Sequence, residues 1–214
     1  MNITKGIVPY SMIKIAIEGM RNPFESYDKS DSFWTWNDGE AIYQIGKEDI
    51  KLAQSLLKSP YSSDHKFMRQ IPVGVEISAP LYWWKEMDQY KIGTVTDSCS
   101  TMHKLSSTEL SMDSFELFDY HEDKAGEMPK HIVQWLEELR GEYNKTKDIE
   151  IWKEIIRWLP CGYLQKRTYT CNYENLRNIY FQRRNHKLLE WKIFINWMDN
   201  LPYVNELIKY EENK

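Results

Sequence analysis

Cysteine is scarce here and poorly spaced for chemistry. Cys99, Cys161 and Cys171 are odd in number and form no CxxC pair, so neither a disulfide framework nor a zinc site is indicated. Long apolar runs are missing too. None approaches the ~20 residues that a membrane helix needs, and the opening MNITKGIVPYSMIKIAIEGM has no clean apolar core followed by a cleavage site. Positive charge is not in excess: 28 Lys and Arg face 32 Asp and Glu, a net −4. That balance argues against a dedicated nucleic-acid coat. No P-loop, GxGxxG, HExxH or GxSxG motif occurs. These absences predict a reduced, cytoplasmic protein with no metal, no membrane association and no direct nucleic-acid contact.

Aromatic residues are abundant instead, with nine Trp and fourteen Tyr in 214 residues. They bury large areas and also offer faces for stacking on a planar ligand. The length suits one domain, 1–214, and 42% apolar with 28% charged residues is ordinary for a globular protein.

Along the chain, PYSMIKIAIEGM (9–20) predicts a short helix capped by Ser11, and Pro23 breaks the polar stretch after it. Residues 40–58 read as helical through Ile50, Ala53, Leu56 and Leu57. Ile71, Val73, Val75 and Ile77 alternate, the period of a strand with one buried face; Pro72 fits its start or an edge position. Pro80 opens a helix through about Tyr90, and Gly93 permits a loop. Residues 106–128 read as irregular and acidic, with a short helix or hairpin as the alternative. Helical patterns follow at Ile132–Leu139, Ile149–Leu159 and Trp191–Leu201, the last two stopped by Pro160 and Pro202. Tyr163–Cys171 reads as a strand or as the start of a helix, and Asn172 as the cap of a helix reaching about Arg184. The expected class is α+β: a twisted antiparallel sheet with helices and a helical C-terminal half.

Four stretches could carry chemistry. Ser98-Cys99-Ser100-Thr101, flanked by Lys91 and His103, is either an anion nest or a solvent loop. Gln165-Lys166-Arg167 is a second, basic cluster. RNIYFQRRNHK (177–187) puts Arg177 and Arg184 on one helical face and Arg183 on a neighbouring stripe, suited to a phosphate or merely to solvent. His65 and Arg69 lie four apart before the strand.

The order of these pieces resembles the flavin-dependent thymidylate synthases, from about Met20 to Pro202. A loop with His65, a strand, Ala79-Pro80, a helix, the tract to Lys104-Leu105, then Leu159-Pro160, Asn172, Leu176, Asn178, Arg183 and Trp191 carry the likeness. Those enzymes methylate dUMP at C5 with a methylenetetrahydrofolate carbon, FAD and NADPH, as homotetramers with active sites at subunit interfaces. The family's Arg-His-Arg, seven residues, then Ser is here Gln89-Tyr90-Lys91, seven residues, then Cys99. The Gly and Arg after that Ser are Ser100 and Thr101. Spacing is retained and chemistry altered, since neither Lys nor Thr forms a guanidinium fork. Asn172 and Asn178 match flavin-facing asparagines, and Arg183 a nucleotide-gripping arginine. Glu174 stands where the family has a flavin-contacting arginine, and Arg69 where it has a flavin-contacting glutamate; the two could pair. A histidine of the family's early loop falls by count on Asp64, beside His65. MRNPFESYDKSDS, the DQYK…STMHKL block and LRNIYFQRRNHKLLEW resemble a divergent branch of bacteriophage and prophage proteins, which implies the host cytoplasm.

The resemblance implies that Cys99 and Arg183 take part in catalysis. Ser98, Cys99, Ser100, Thr101 and Arg183 would hold a dUMP-like pyrimidine nucleotide. Arg69, Gln89, Tyr90, Lys91, Asn172 and Asn178 would contact FAD. It also implies that the Gly93–Leu105 turn and the helix bearing Arg183 converge, within a subunit or across an oligomer seam. The competing expectation is a catalytically inactive nucleotide- or protein-binding module on the same scaffold, with the flavin lost.

Overall fold

The computed structural model describes residues 1–117 and 120–211. In chain order the elements are β1 (Asn2–Ile3), α1 (Tyr10–Arg21), β2 (Phe33–Asn37), β3 (Glu40–Gln44), α2 (Lys47–Leu57), β4 (Pro72–Pro80), α3 (Leu81–Met87), β5 (Val95–Ser98), α4 (Glu122–Ala125), α5 (Met128–Thr146), α6 (Ile149–Trp158), β6 (Leu164–Asn172), α7 (Tyr173–Arg183) and α8 (Leu189–Trp197). A π-helical turn, Val204–Ile208, follows. The four-stranded sheet has the order β1-β4-β6-β5, and β2 and β3 form a separate antiparallel hairpin. The class is α+β, an antiparallel sheet with helices, as expected.

The alternating run becomes β4. Val73, Val75 and Ile77 are buried, and Pro72 is its first residue, where a missing N–H does least harm to the ladder. Residues 164–172, open between strand and helix in the sequence, form β6. Gln165, Tyr169 and Cys171 point inward and Lys166, Thr168 and Thr170 do not.

Three expectations are corrected. The helix predicted over 40–58 begins only at Lys47, because residues 40–44 pair with 33–37. The cause is Asp38-Gly39: both have positive φ (49° and 83°), the twist that closes a two-residue hairpin. Ser11 does not cap α1. The helix begins at Tyr10, with Pro9 in the cap position and no side-chain cap bond. The helix after Pro80 ends at Met87 rather than Tyr90, and the expected loop contains β5.

The chain forms two compact units. One comprises Met1–Asn2, Ile77–Gln89 and Asp97–Arg167; the other comprises Ile3–Glu76, Tyr90–Thr96 and Thr168–Lys214. In the first, Leu105, Leu110, Phe115, Val133, Leu136 and Ile155 make a core under α5 and α6. Trp83 and Trp84 of α3 are also fully buried. In the second, α1 buries Ile13, Ala16 and Ile17, α7 buries Leu176 and Ile179, and α8 buries Trp191 and Phe194. A buried ion pair, Arg21 Nε to Asp49 Oδ1 at 2.5 Å, ties α1 to α2. Arg21 also donates to the Ser26 and Lys29 carbonyls, and Ser30 and Ser32 donate to Asp49. Every charge in this buried group has a partner, as burial demands.

Candidate functional site

In the unit that contains α7, the site begins at the helix N-terminus. Asn172 accepts from the Asn175 N–H (3.0 Å), and Asn175 Oδ1 accepts from the Asn172 N–H (3.1 Å), a reciprocal cap. Asn175 Nδ2 also donates to the Ile92 carbonyl (2.8 Å), anchoring the Tyr90–Thr96 segment on the cap. Gly93 has φ +74°, and a Cβ there would lie 3.1 Å from Asn172 Nδ2, so the residue is small for two reasons.

At the other end of α7, Arg183 is half-buried. Its Nε donates to Tyr90 Oη (2.9 Å), and that hydroxyl donates to Gln182 Oε1 (3.0 Å). The guanidinium carbon lies 4.9 Å from the Trp191 ring centroid and 5.8 Å from that of Tyr90. Two aromatic faces thus fix a planar cation by electrostatic attraction. Tyr90, Arg183 and Trp191 form one cluster.

Arg69 and Glu174 form a two-point ion pair. Arg69 Nε donates to Glu174 Oε2, and its Nη2 donates to Oε1 (3.1 Å). The Arg69 side chain is 48% exposed and that of Glu174 15%. The glutamate hydrogen bond raises the Arg69 pKa. The opposed signs noted in the sequence therefore satisfy each other. Lys91 and Asn178 are exposed, and their side chains make no hydrogen bond or ion pair among the described residues.

The shared face of Arg177 and Arg184 does not reach out for an anion. Arg177 Nη1 donates to the carbonyls of Leu207, Ile208 and Tyr210 (3.1, 3.2 and 2.6 Å), and Arg184 pairs with Glu211 (2.7 Å). Both hold the chain's last described turn, whose carbonyls have no helical partner. His65 Nε2 donates to the Ser59 carbonyl (3.0 Å) within its own loop.

The unit that contains α5 and α6 holds the hydroxyl tract. Ser98, Cys99 and Gln89 are exposed; Ser100 and Thr101 are half-buried. Cys99 is pinned by its backbone: its N–H donates to the Lys166 carbonyl (2.9 Å), and its carbonyl accepts from Gln165 Nε2 (2.7 Å). Ser100 Oγ accepts from the N–H groups of Met102 (3.2 Å) and His103 (3.0 Å). Those two donors of the expected nest thus point at the serine hydroxyl. Trp152 of α6 donates to the Met102 carbonyl (2.9 Å). The thiols differ sharply: Cys99 is exposed, whereas burial pushes the Cys171 thiol far above its usual range.

The sequence marks Gln165 and Arg167 only as members of a basic cluster, and it misses Trp84 and the contacts that join the three. Gln165 is 6% exposed. Its Oε1 accepts from Arg167 Nε (2.9 Å), and its carbonyl accepts from Trp84 Nε1 (3.0 Å). Arg167 stacks on Trp84 at 4.3 Å and pairs with Asp88 (2.8 Å). The available signal was the strand alternation, which puts Gln165 and Arg167 on the same side as Tyr169 and Cys171.

No family model matches the chain, and no curated protein matches it. Among solved structures, the chain is similar to the flavin-dependent thymidylate synthase from Helicobacter pylori complexed with FAD and dUMP. Identity is 17% with 96% of each chain covered and a TM-score of 0.67. A second structure of thymidylate synthase X from Helicobacter pylori with FAD and dUMP matches at 17% identity over 94% of each chain, TM-score 0.64. At that identity the likeness shows the fold: this chain has the scaffold of a flavin-dependent thymidylate synthase.

Proposed function

We propose that the protein binds a dUMP-like pyrimidine nucleotide beside FAD and methylates it at C5, with methylenetetrahydrofolate and NADPH as co-substrates. The observation that carries this reading is the Tyr90–Arg183–Trp191 cluster, standing at the C-terminal end of α7 on a scaffold whose solved relatives hold FAD and dUMP. Arg183 is the cation for the nucleotide phosphate, pre-set by Tyr90 and Trp191. Cys99, with Ser98, Ser100 and Thr101, is the nucleotide-facing tract, and Cys99 takes the role of the family's serine.

The donor set suits a flavin. Asn172 Nδ2 and the exposed Asn178 offer amide hydrogens for carbonyl oxygens, Lys91 supplies positive charge for a pyrophosphate, and Arg69, whose charge is balanced by Glu174, adds a half-exposed guanidinium to the contacts. Gln89 and Tyr90 complete the contacts. These are single hydrogen bonds and point charges, so they orient less tightly than arginine forks would. When bound, FAD supplies hydride chemistry and mediates the one-carbon transfer. The chain's own residues bind, orient and exclude water. The same reading makes the protein a cytoplasmic homotetramer of the phage-type branch, working in the host.

A second reading, a binding module without flavin, is favoured by one observation: Glu174 is closed onto Arg69, and both groups are spent on each other. Absorbance of the purified protein during FAD titration separates the two. Thymidylate formed from dUMP with all three co-substrates, and lost in Arg183→Ala, supports the enzyme. That variant should weaken dUMP binding by about 10–100-fold, the worth of a charged hydrogen bond. A protein that binds dUMP but takes up no FAD supports the module, and one that binds neither sinks both.

A further inference from the structure

Gln165 is a buried amide that uses its side-chain nitrogen, its side-chain oxygen and its backbone carbonyl. It carries no charge itself, though it sits in the basic Gln165-Lys166-Arg167 cluster, and it is fixed by three partners. Its Nε2 holds the Cys99 carbonyl, its Oε1 holds Arg167 Nε, and its own carbonyl holds Trp84 Nε1. Arg167 is fixed in turn by stacking on Trp84 and by Asp88, the residue just before Gln89. The Cys99 N–H bonds to Lys166, next to Gln165 in β6. The result is a residue held through both its N–H and its carbonyl while its thiol stands exposed.

We infer that Gln165, braced by Arg167 and Asp88, is the positioning residue for the Cys99 tract, acting through the Cys99 carbonyl. This rests on the reading of Cys99–Thr101 as nucleotide-facing. A loop residue pinned only by its N–H rotates about the strand edge. A second bond from a side chain that cannot itself move removes that freedom before any ligand arrives, which is what pre-organisation requires. An amide is the suitable group because it donates to one neighbour and accepts from the other. Glutamate keeps the bond from Arg167 but repels the Cys99 carbonyl. Methionine has similar length and keeps neither bond.

The test compares Gln165→Glu and Gln165→Met by amide hydrogen exchange in the full chain. In both, residues 99–104 should exchange about two- to tenfold faster, the range of one net hydrogen bond. The amides of α5, in the same unit, should keep their rates. The KM for dUMP should rise by the same factor with kcat unchanged. Where turnover is absent, the dUMP dissociation constant replaces KM. Unchanged exchange at 99–104, or an equal rise in α5, overturns the inference. Slower exchange at 99–104 on adding dUMP to the unaltered protein tests the nucleotide reading separately. If dUMP has no effect but the variants still loosen 99–104 selectively, the positioning role stands and the nucleotide assignment falls.

Discussion

At the scale of single residues, the most informative finding is the pairing of Arg69 with Glu174. Each looks like damage when read alone against the family it resembles, because each has the wrong sign. Together they form an ion pair between the turn before β4 and the first turn of α7. The arginine is half exposed, so the pair contributes about 0.2–1 kcal/mol. Arg69→Glu or Glu174→Arg alone should lower stability, since each places like charges together. The double exchange should recover most of the loss. A double-mutant cycle by urea unfolding measures the coupling, and additive single effects would refute it. The pairing was legible as a suggestion only, because sequence order does not say which charges meet across 105 positions. Arg177 teaches the opposite lesson. Its helical phase was correct, but its targets are three carbonyls about thirty residues further on, and carbonyls leave no mark in a sequence.

At the scale of elements, local rules worked where one force dominated. Period-two burial found β4, and the Asn172 cap with its following turn found α7. The β2–β3 hairpin escapes the sequence reading although Asp38-Gly39 announces it, because the helical spacing of Ile50, Ala53 and Leu57 is carried back over residues 40–44 as far as the turn. α5 carries a further expectation. Glu137 accepts from Arg140 and from the Leu110 N–H (2.9 Å), while Arg140 also donates to the Ser106 carbonyl (3.1 Å). This lashes the 105–111 loop to the helix. The Arg140 hydrogen bond is the main force holding the Glu137 carboxyl below its usual value; burial opposes it and the Leu110 amide assists. A depressed carboxylate stabilises the fold above its unfolded pKa, about 4.3. That contribution fades as pH falls through the lower folded value. Urea unfolding across that window should show a steeper acid loss in the unaltered protein than in Glu137→Gln. Equal slopes would remove Glu137 from the account.

At the scale of the whole molecule, neither compact unit is a continuous stretch of chain. Residues 97–167 include α5, α6 and the hydroxyl tract but not α3, whose Trp83 and Trp84 are fully buried. Expressed alone, 97–167 should fail to fold, losing the Trp84 bond to Gln165 and the Arg167 stack along with the tryptophan surface. Circular dichroism and sharp thermal unfolding of that fragment would contradict this. Such interleaving was not legible beforehand, because no Pro-, Gly- or Ser-rich linker marks the boundaries. It also limits how the chain can change over generations. Recombination cannot lift either unit out as a cassette, so novelty must come by substitution, with partners altering in step. The ion pair of Arg69 and Glu174 is the kind of joint that such inheritance must alter on both sides at once.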